Sequence, residues 1–498
     1  MKKAFLLVPV LLCNLVHAQQ GQAIADASKF LPGPPDDTSV EYLKDITQYD
    51  WGKSMRNTPA WQHAATDINE QLGTYINAFS TIIGLQISKL NTPRTYEVLD
   101  YVITYSQNTI EKARKTFAER KPPFARFGEN SLVPGGERQY ATISSYPSSF
   151  AFMGWLTALT LTEICPDKQN DILVRGYNFG TSSIISGYNW DSDVTSGRLL
   201  ACALSTLLHS QTNFNNMMKS ARTEYEQKTG TSTTIISSDQ NSSSFPNDNL
   251  PKATAYLQEP PALESVLFSY DLNQHILNSR KRVTTEGKIA TADVDVSTEY
   301  LAGIFSTAFG KTISPSETPH LYSLISKLNQ TGAPAYQAVK EKYMRICPYV
   351  LLNQKTSYEP DEDSYMNQGS YPSGHSSEGW LTAMVLAEIN SANAEELLAR
   401  AYLYGQSRVI TGYNWQSDVD AGRLVGSTIY AYLHTCDEFV TMMNLAKSEY
   451  NGSTGIKAPT TGVNPSDEPL YKLDGTLIKG TPSNKGIFIQ GNKKIIVK

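Results

Sequence analysis

A chain of 498 residues has room for two domains of about 200 residues with ends to spare. Hydrophobic residues make up 40% and charged residues 18%, which suits a globular protein with a sizeable core. The formal net charge of -5 argues against nucleic acid or an anionic membrane as a general partner.

Residues 1–18 open with Met1-Lys2-Lys3, continue as AFLLVPVLLCNLV and reach His17-Ala18, the pattern of a secretory signal cut after Ala18. Export to the periplasm, the cell surface or the medium is expected. Cys13 lies in this segment, but Leu12 before it is too bulky for the usual lipid-attachment pattern. No later stretch has 18 consecutive apolar residues, so no membrane span is expected. Cys165, Cys202, Cys347 and Cys436 would enter a compartment that permits disulfides, and both bridges and buried free thiols fit them. None has metal-ligand spacing, and neither a metal nor another cofactor is expected.

Shifted by about 225 residues, the chain matches itself from about residue 30 to 450. LPGPP at 31 faces LQEPP at 257, YPSSF at 146 faces YPSGH at 371, and GWLTA recurs at 154 and 379. GYNW recurs at 187 and 412, each time followed by Ser-Asp-Val and Gly-Arg-Leu. One ancestral domain used twice is the expectation: residues 19–235, a polar flexible linker at 236–250 within a Ser- and Asn-rich stretch, and residues 251–450. The two copies could then imitate a dimer within one chain.

Within each copy the apolar spacing is helical. In EGWLTAMVLAEI, Trp380, Met384 and Ala387 recur at steps of three and four, as do Ala421, Leu424, Val425 and Thr428. The spacing predicts an all-α protein of two tandem helical bundles. Residues 451–498 differ: β-favouring runs flank Asp-Gly and Gly-Asn turn signals, predicting a small β-rich tail. Its YKLDG, KGIFI and closing KKIIVK resemble the C-terminal sorting domains of the type IX secretion pathway; a terminal hairpin packed on the second bundle is the alternative.

The residues able to do chemistry lie in the second copy. Ser373 can cap a helix, Gly374 admits a ligand to the backbone, and the exposed amides and helix dipole favour phosphate. His375 stands beside them as a candidate proton donor. Arg408 lies near the end of the helical stretch before GYNW, Lys340 precedes Pro348, and Asn414 and Asp418 are four apart, in reach of each other if their segment is helical. His209, His275, His320 and His434 are scattered and read as surface or core residues.

Together these motifs resemble the bacterial class A nonspecific acid phosphatases, within the type 2 phosphatidic acid phosphatase and vanadium haloperoxidase superfamily. That signature is K-x6-R-P, P-S-G-H and S-R-x5-H-x3-D, and Lys340, Pro348, Pro372 to His375, Ser407-Arg408 and Asp418 match it in spacing. The resemblance implies that Lys340, Ser373, Arg408 and the Gly374 amide hold phosphate oxygens. It implies that His375 protonates the leaving alcohol and that Asp418 orients a nucleophilic histidine. The ligand would be phosphate or a phosphorylated small molecule.

Two signature residues differ. Cys347 stands at the first arginine, and Arg345, expected on another helix face, does not replace it. Asn414 stands at the nucleophile. The lone pair of an amide nitrogen is delocalised into its carbonyl, whereas neutral imidazole offers a free one. Loss of the nucleophile from a comparable catalytic unit costs on the order of a millionfold in rate. In the first copy Arg114 and Lys121 keep positive charge and Ser148 keeps the cap, but Phe150 replaces the acid histidine, Ser183 the second arginine and Asn189 the nucleophile, with Asp193 four residues on. A phosphate-binding protein with impaired hydrolysis is the leading expectation, with an active phosphatase using His375 and a structural pseudo-dimer as alternatives.

Overall fold

Two helices with no polar face organise the molecule. In Ser149–Ile164 every residue is buried, and in Gly374–Ile389 all but Gly374 and Glu378 are. The periodicity of EGWLTAMVLAEI predicted one apolar face; the helix is instead enclosed on all sides, because threonines, serines and alanines on its remaining faces are small enough to be covered. The computed structural model describes residues 24–133, 137–237 and 242–452, together with strand backbone between 470 and 497. The expected signal segment, 1–18, lies outside the described residues.

Around each central helix the same elements follow in the same order. Gln169–Ser186 and Asp191–His209 pack on the first, and Ala394–Thr411 and Gln416–Leu433 on the second. Small residues set these approaches. A Cβ added to Gly197 would stand 2.4 Å from the Ser148 carbonyl oxygen, and one added to Gly422 would stand 2.3 Å from that of Ser373. Only glycine lets the helix after GYNW lie against the helix cap.

The two halves do not form separate globules. Residues through Lys447 close into one compact unit. Gly374–Ile389 packs on Asp191–His209, and Gln416–Leu433 packs on Ser149–Ile164. Wholly buried Trp155 donates its indole N–H to Ser427 Oγ across 3.4 Å. The expected flexible linker is partly tied down as well: Ile235, the residue just before it, exchanges backbone hydrogen bonds with Thr435 and Asp437, and within it buried Phe245 packs edge-on against Phe439. A polar composition concealed these two apolar anchors. All four cysteines among the described residues are free and buried.

The second unit, Ser448–Lys498, contains an antiparallel four-stranded sheet. Its order is Leu477–Ile478, Leu470–Lys472, Gly486–Gln490, Lys493–Val497. The β-rich tail therefore has strands where the turn signals placed them.

Each half is cross-tied by a buried arginine. Arg345 Nη1 meets Asp418 Oδ1 at 2.5 Å and its Nη2 meets Asp271 Oδ2 at 2.7 Å; both aspartates are wholly buried. Arg120 makes the same fork to Asp193 and Asp45, each at 2.6 Å. Removing one partner leaves uncompensated buried charge, which costs about 3–5 kcal/mol. Arg345→Met is expected to lower the unfolding free energy by that amount in urea titration. Arg126→Met, which breaks an exposed pair with Asp37, should leave it nearly unchanged.

Candidate functional site

The segment before Gly374 leaves no freedom to its cap. Ser373 Oγ accepts the Ser376 amide at 3.2 Å, and the Ser373 amide donates to the Asp418 carbonyl at 2.9 Å. Arg408 lies one turn before the end of Ala394–Thr411, which stops at Gly412 in the left-handed region, φ +94°. The Gly412, Tyr413 and Asn414 amides all point back at the Arg408 carbonyl, and this reversal carries Asn414 beneath the cap.

Asn414 is buried and fully engaged. Its Nδ2 donates to the Ser370 carbonyl at 2.8 Å, while its Oδ1 accepts from Arg408 Nε at 3.2 Å and Ser373 Oγ at 3.4 Å. Asn189 repeats this with Ser145 and Ser148, at 2.7 and 2.8 Å. In both halves the amide pins the GYNW turn to the cap loop.

Asp418 does not meet Asn414, because Asn414 precedes the helix that begins at Gln416. One carboxylate oxygen of Asp418 takes the Trp415 amide at 2.8 Å and the other the Arg345 guanidinium. Burial pushes its pKa upward, with Arg345 pulling the other way. Arg345 itself is not on a helix face: residues 344–347 are irregular, which frees it to reach Asp418 and Asp271. Cys347 is a buried thiol, raised to about 11 by burial.

His375 lies flat on Tyr404, ring centroids 3.9 Å apart and planes 16° from parallel. It is 8% exposed, and neither ring nitrogen has a hydrogen-bond partner among the described residues. Burial, followed by the charges of Arg408 and Arg400, holds it well below the usual imidazole range. This environment disfavours the charged ring, so it opposes a role as proton donor and favours one as lone-pair donor.

The cations close around the same point. Arg408 stacks over Tyr413 at 4.1 Å and Tyr365 at 5.1 Å and keeps a buried Nη1 without a partner among the described residues. Lys340 Nζ donates to the Gly369 carbonyl at 2.6 Å, and burial lowers its ammonium to about 8. Gly374 is approached by a side chain of the protein itself, since a Cβ there would stand 2.7 Å from the Tyr336 ring.

The sequence reading missed Tyr336, Tyr404 and Glu378. Helical spacing could have found them: Tyr336 is four before Lys340, Tyr404 four before Arg408 and Glu378 three after His375. Glu378 accepts the Tyr336 hydroxyl at 2.8 Å and feels both Lys340 and Arg408, yet burial raises its carboxyl to about 7.

In the first half the corresponding space is filled. Phe150, Tyr188 and Phe124 form an apolar cluster covered by Tyr140. Arg114 turns to Ser149 at 2.9 Å, and Ser183 bonds to the Gly180 carbonyl. Lys121 is exposed, contributing its carbonyl to Trp190 Nε1 rather than its charge to a site.

A cap, two cations and a histidine converging at one helix start agree with the comparisons to known proteins. Residues 320–441 match the family model described as the PAP2 superfamily. The chain is 41% identical over 197 residues to the non-specific acid phosphatase of Providencia stuartii, covering 39% of this chain and 79% of that protein. It is 38% identical over 202 residues to that of Salmonella typhimurium (40% and 81%) and 33% over 221 residues to the acid phosphatase of Zymomonas mobilis (44% and 81%). The chain belongs to the non-specific acid phosphatase family of the PAP2 superfamily.

Glu378 gives this site a pH signature. Its folded pKa is raised above the unfolded value of 4.5, so its contribution to stability is complete below pH 4.5 and is lost as pH rises through about 7. Glu378→Gln removes that loss. The variant should gain roughly 2–3 kcal/mol on wild type between pH 4.5 and pH 8, seen as a rising difference in Tm.

Proposed function

We propose that this protein is an exported member of its family whose second half binds phosphate or a phosphomonoester and hydrolyses it poorly. Lys340, Arg408, Ser373 and the Gly374 amide hold the anion, and His375 lies beside it. One observation carries the reading: both polar atoms of the Asn414 amide are consumed by Ser370, Ser373 and Arg408. Besides lacking a nucleophilic lone pair, Asn414 is held as a strut. The first half, its space filled by aromatic rings, acts as a structural partner, an internal counterpart of a second subunit. The absence of any helix long and apolar enough to cross a membrane, among the described residues, accords with a protein released after export.

A second reading rests on His375. Burial and the neighbouring arginines disfavour the charged imidazole and so favour a free lone pair, and slow hydrolysis through His375 is the alternative. Hydrolysis of p-nitrophenyl phosphate between pH 5 and 7 separates the two. The first reading expects wild-type turnover on the order of a millionfold below a family member with the full signature, with Asn414→His recovering orders of magnitude. Wild-type turnover well above that level that His375→Ala abolishes would establish the second.

Anion binding should be confined to acid and neutral pH. Glu378 gains its negative charge above about 7 and Lys340 loses its positive charge above about 8, so both changes oppose an anion as pH rises. Calorimetric titration with sulfate, whose charge is constant across this range, should show affinity falling between pH 6 and 9. Glu378→Gln should move the fall upward, and Arg408→Ala should abolish the heat.

A further inference from the structure

At the far ends of the helices that begin at the phosphate cradle and of their counterparts, the two halves bring together four groups. Glu163 and His209 belong to the first half; Glu388 and His434 lie 225 residues after them. His209 Nε2 is 2.9 Å from Glu163 Oε1, and His434 Nε2 is 3.0 Å from Glu388 Oε2. The rings face each other at 3.9 Å, and His209 and both carboxylates are under 5% exposed. These histidines, expected to be scattered surface or core residues, meet because the ends of Asp191–His209 and Gln416–Leu433 abut.

Their hydrogen bonds fix which nitrogen carries the proton. His434 Nδ1 is 3.0 Å from the Tyr430 carbonyl, which can only accept. His209 Nδ1 is 3.2 Å from Asn215 Oδ1, oriented so because Asn215 Nδ2 donates to the His209 carbonyl at 2.8 Å. Both Nδ1 atoms therefore donate, and in neutral rings both Nε2 lone pairs point at carboxylate oxygens. Acceptor faces acceptor twice in a buried space. Each pair therefore needs a proton between nitrogen and carboxylate oxygen, or one divalent cation replaces the two protons at equal charge.

We infer that Glu163, His209 and His434 form a binding site for a first-row divalent transition metal, shared between the two halves. Their ligand atoms all lie within 4.8 Å of one another. A tetrahedral shell with metal–nitrogen bonds near 2.0–2.1 Å spaces its ligands about 3.3 Å apart, so side-chain rotation of about 1.5 Å at most completes it. Two imidazoles with a carboxylate suit zinc, cobalt or nickel, whereas calcium and magnesium prefer oxygen alone. The Nδ1 hydrogen bonds are the outer partners that hold metal-binding imidazoles in place. Glu388, held by Lys447 at 2.7 Å and Tyr430 at 2.6 Å, supplies a second carboxylate beside His434. The fourth position faces a groove of about 680 Å³ whose lining includes Arg222 and Lys447.

The test uses the untagged full chain, stripped with chelator and titrated with Co²⁺ and Zn²⁺. One equivalent of Co²⁺ should bind and give visible ligand-field bands of a four- or five-coordinate ion, and equimolar Zn²⁺ should displace it. His209→Ala and His434→Ala should each weaken Zn²⁺ at least 100-fold, and Glu163→Gln about 10-fold or more. X-ray absorption of the wild-type zinc form should show two imidazoles in the first shell, a readout that survives any variant failing to fold. No saturable binding, unchanged affinity in the histidine variants, or a shell without imidazole would each overturn the site and leave the protonated pairs as the arrangement.

Discussion

A guanidinium fork holds each half together at the point where chemistry is expected. Arg345 joins the irregular segment after Lys340, the early helix Val266–Ser279 through Asp271, and the start of Gln416–Leu433 through Asp418. Because its partners are wholly buried, the fork tolerates no alternative geometry: any displacement strands a charge in the interior. Ser417 reinforces it by donating to Asp271 and accepting from Arg345. The GYNW turn, the cap loop and the chain leading to Cys347 are thus fixed relative to one another before any ligand is considered. Arg120, Asp45, Ser192 and Asp193 repeat the arrangement in the half whose site space is filled. The fork is therefore a requirement of the fold, retained independently of anion binding.

This separates the roles of the SDV sequence from the chemistry of the family signature. Asp418 has one oxygen on a backbone amide and the other on Arg345, so its immediate duty is to the scaffold. Asn414 ties two loops together. Arg408 and His375 keep buried polar atoms without a partner among the described residues, and they lie against aromatic faces, Tyr413 and Tyr404, that keep them in place without consuming their hydrogen-bonding capacity.

Much of this was legible in the sequence. The helical spacing, the recurrence at about 225 residues, the Ser373 cap and the substitution of Asn414 are all local or periodic signals. What escaped was of another kind. Arg345 was assigned to a helix face because nothing local marks residues 344–347 as irregular, with Met344 at positive φ. Phe245 and Ile235 were submerged in a polar stretch whose average composition hid two anchors. Glu378 and Tyr336 lie at helical spacing from known site residues, but their meeting depends on how two helices cross, which no single-helix period specifies. His209 and His434 required the packing between halves, a contact set by elements far apart in the chain.

That packing has a further consequence through the covalent link between the halves. Two separate chains meeting through Trp155, Ser427 and the facing helices would associate only as far as their concentration allowed. Joined in one polypeptide, they meet at an effective concentration in the millimolar range whatever the amount of protein present. With the contact secured by the tether, the buried seam between the halves forms independently of how dilute the protein becomes.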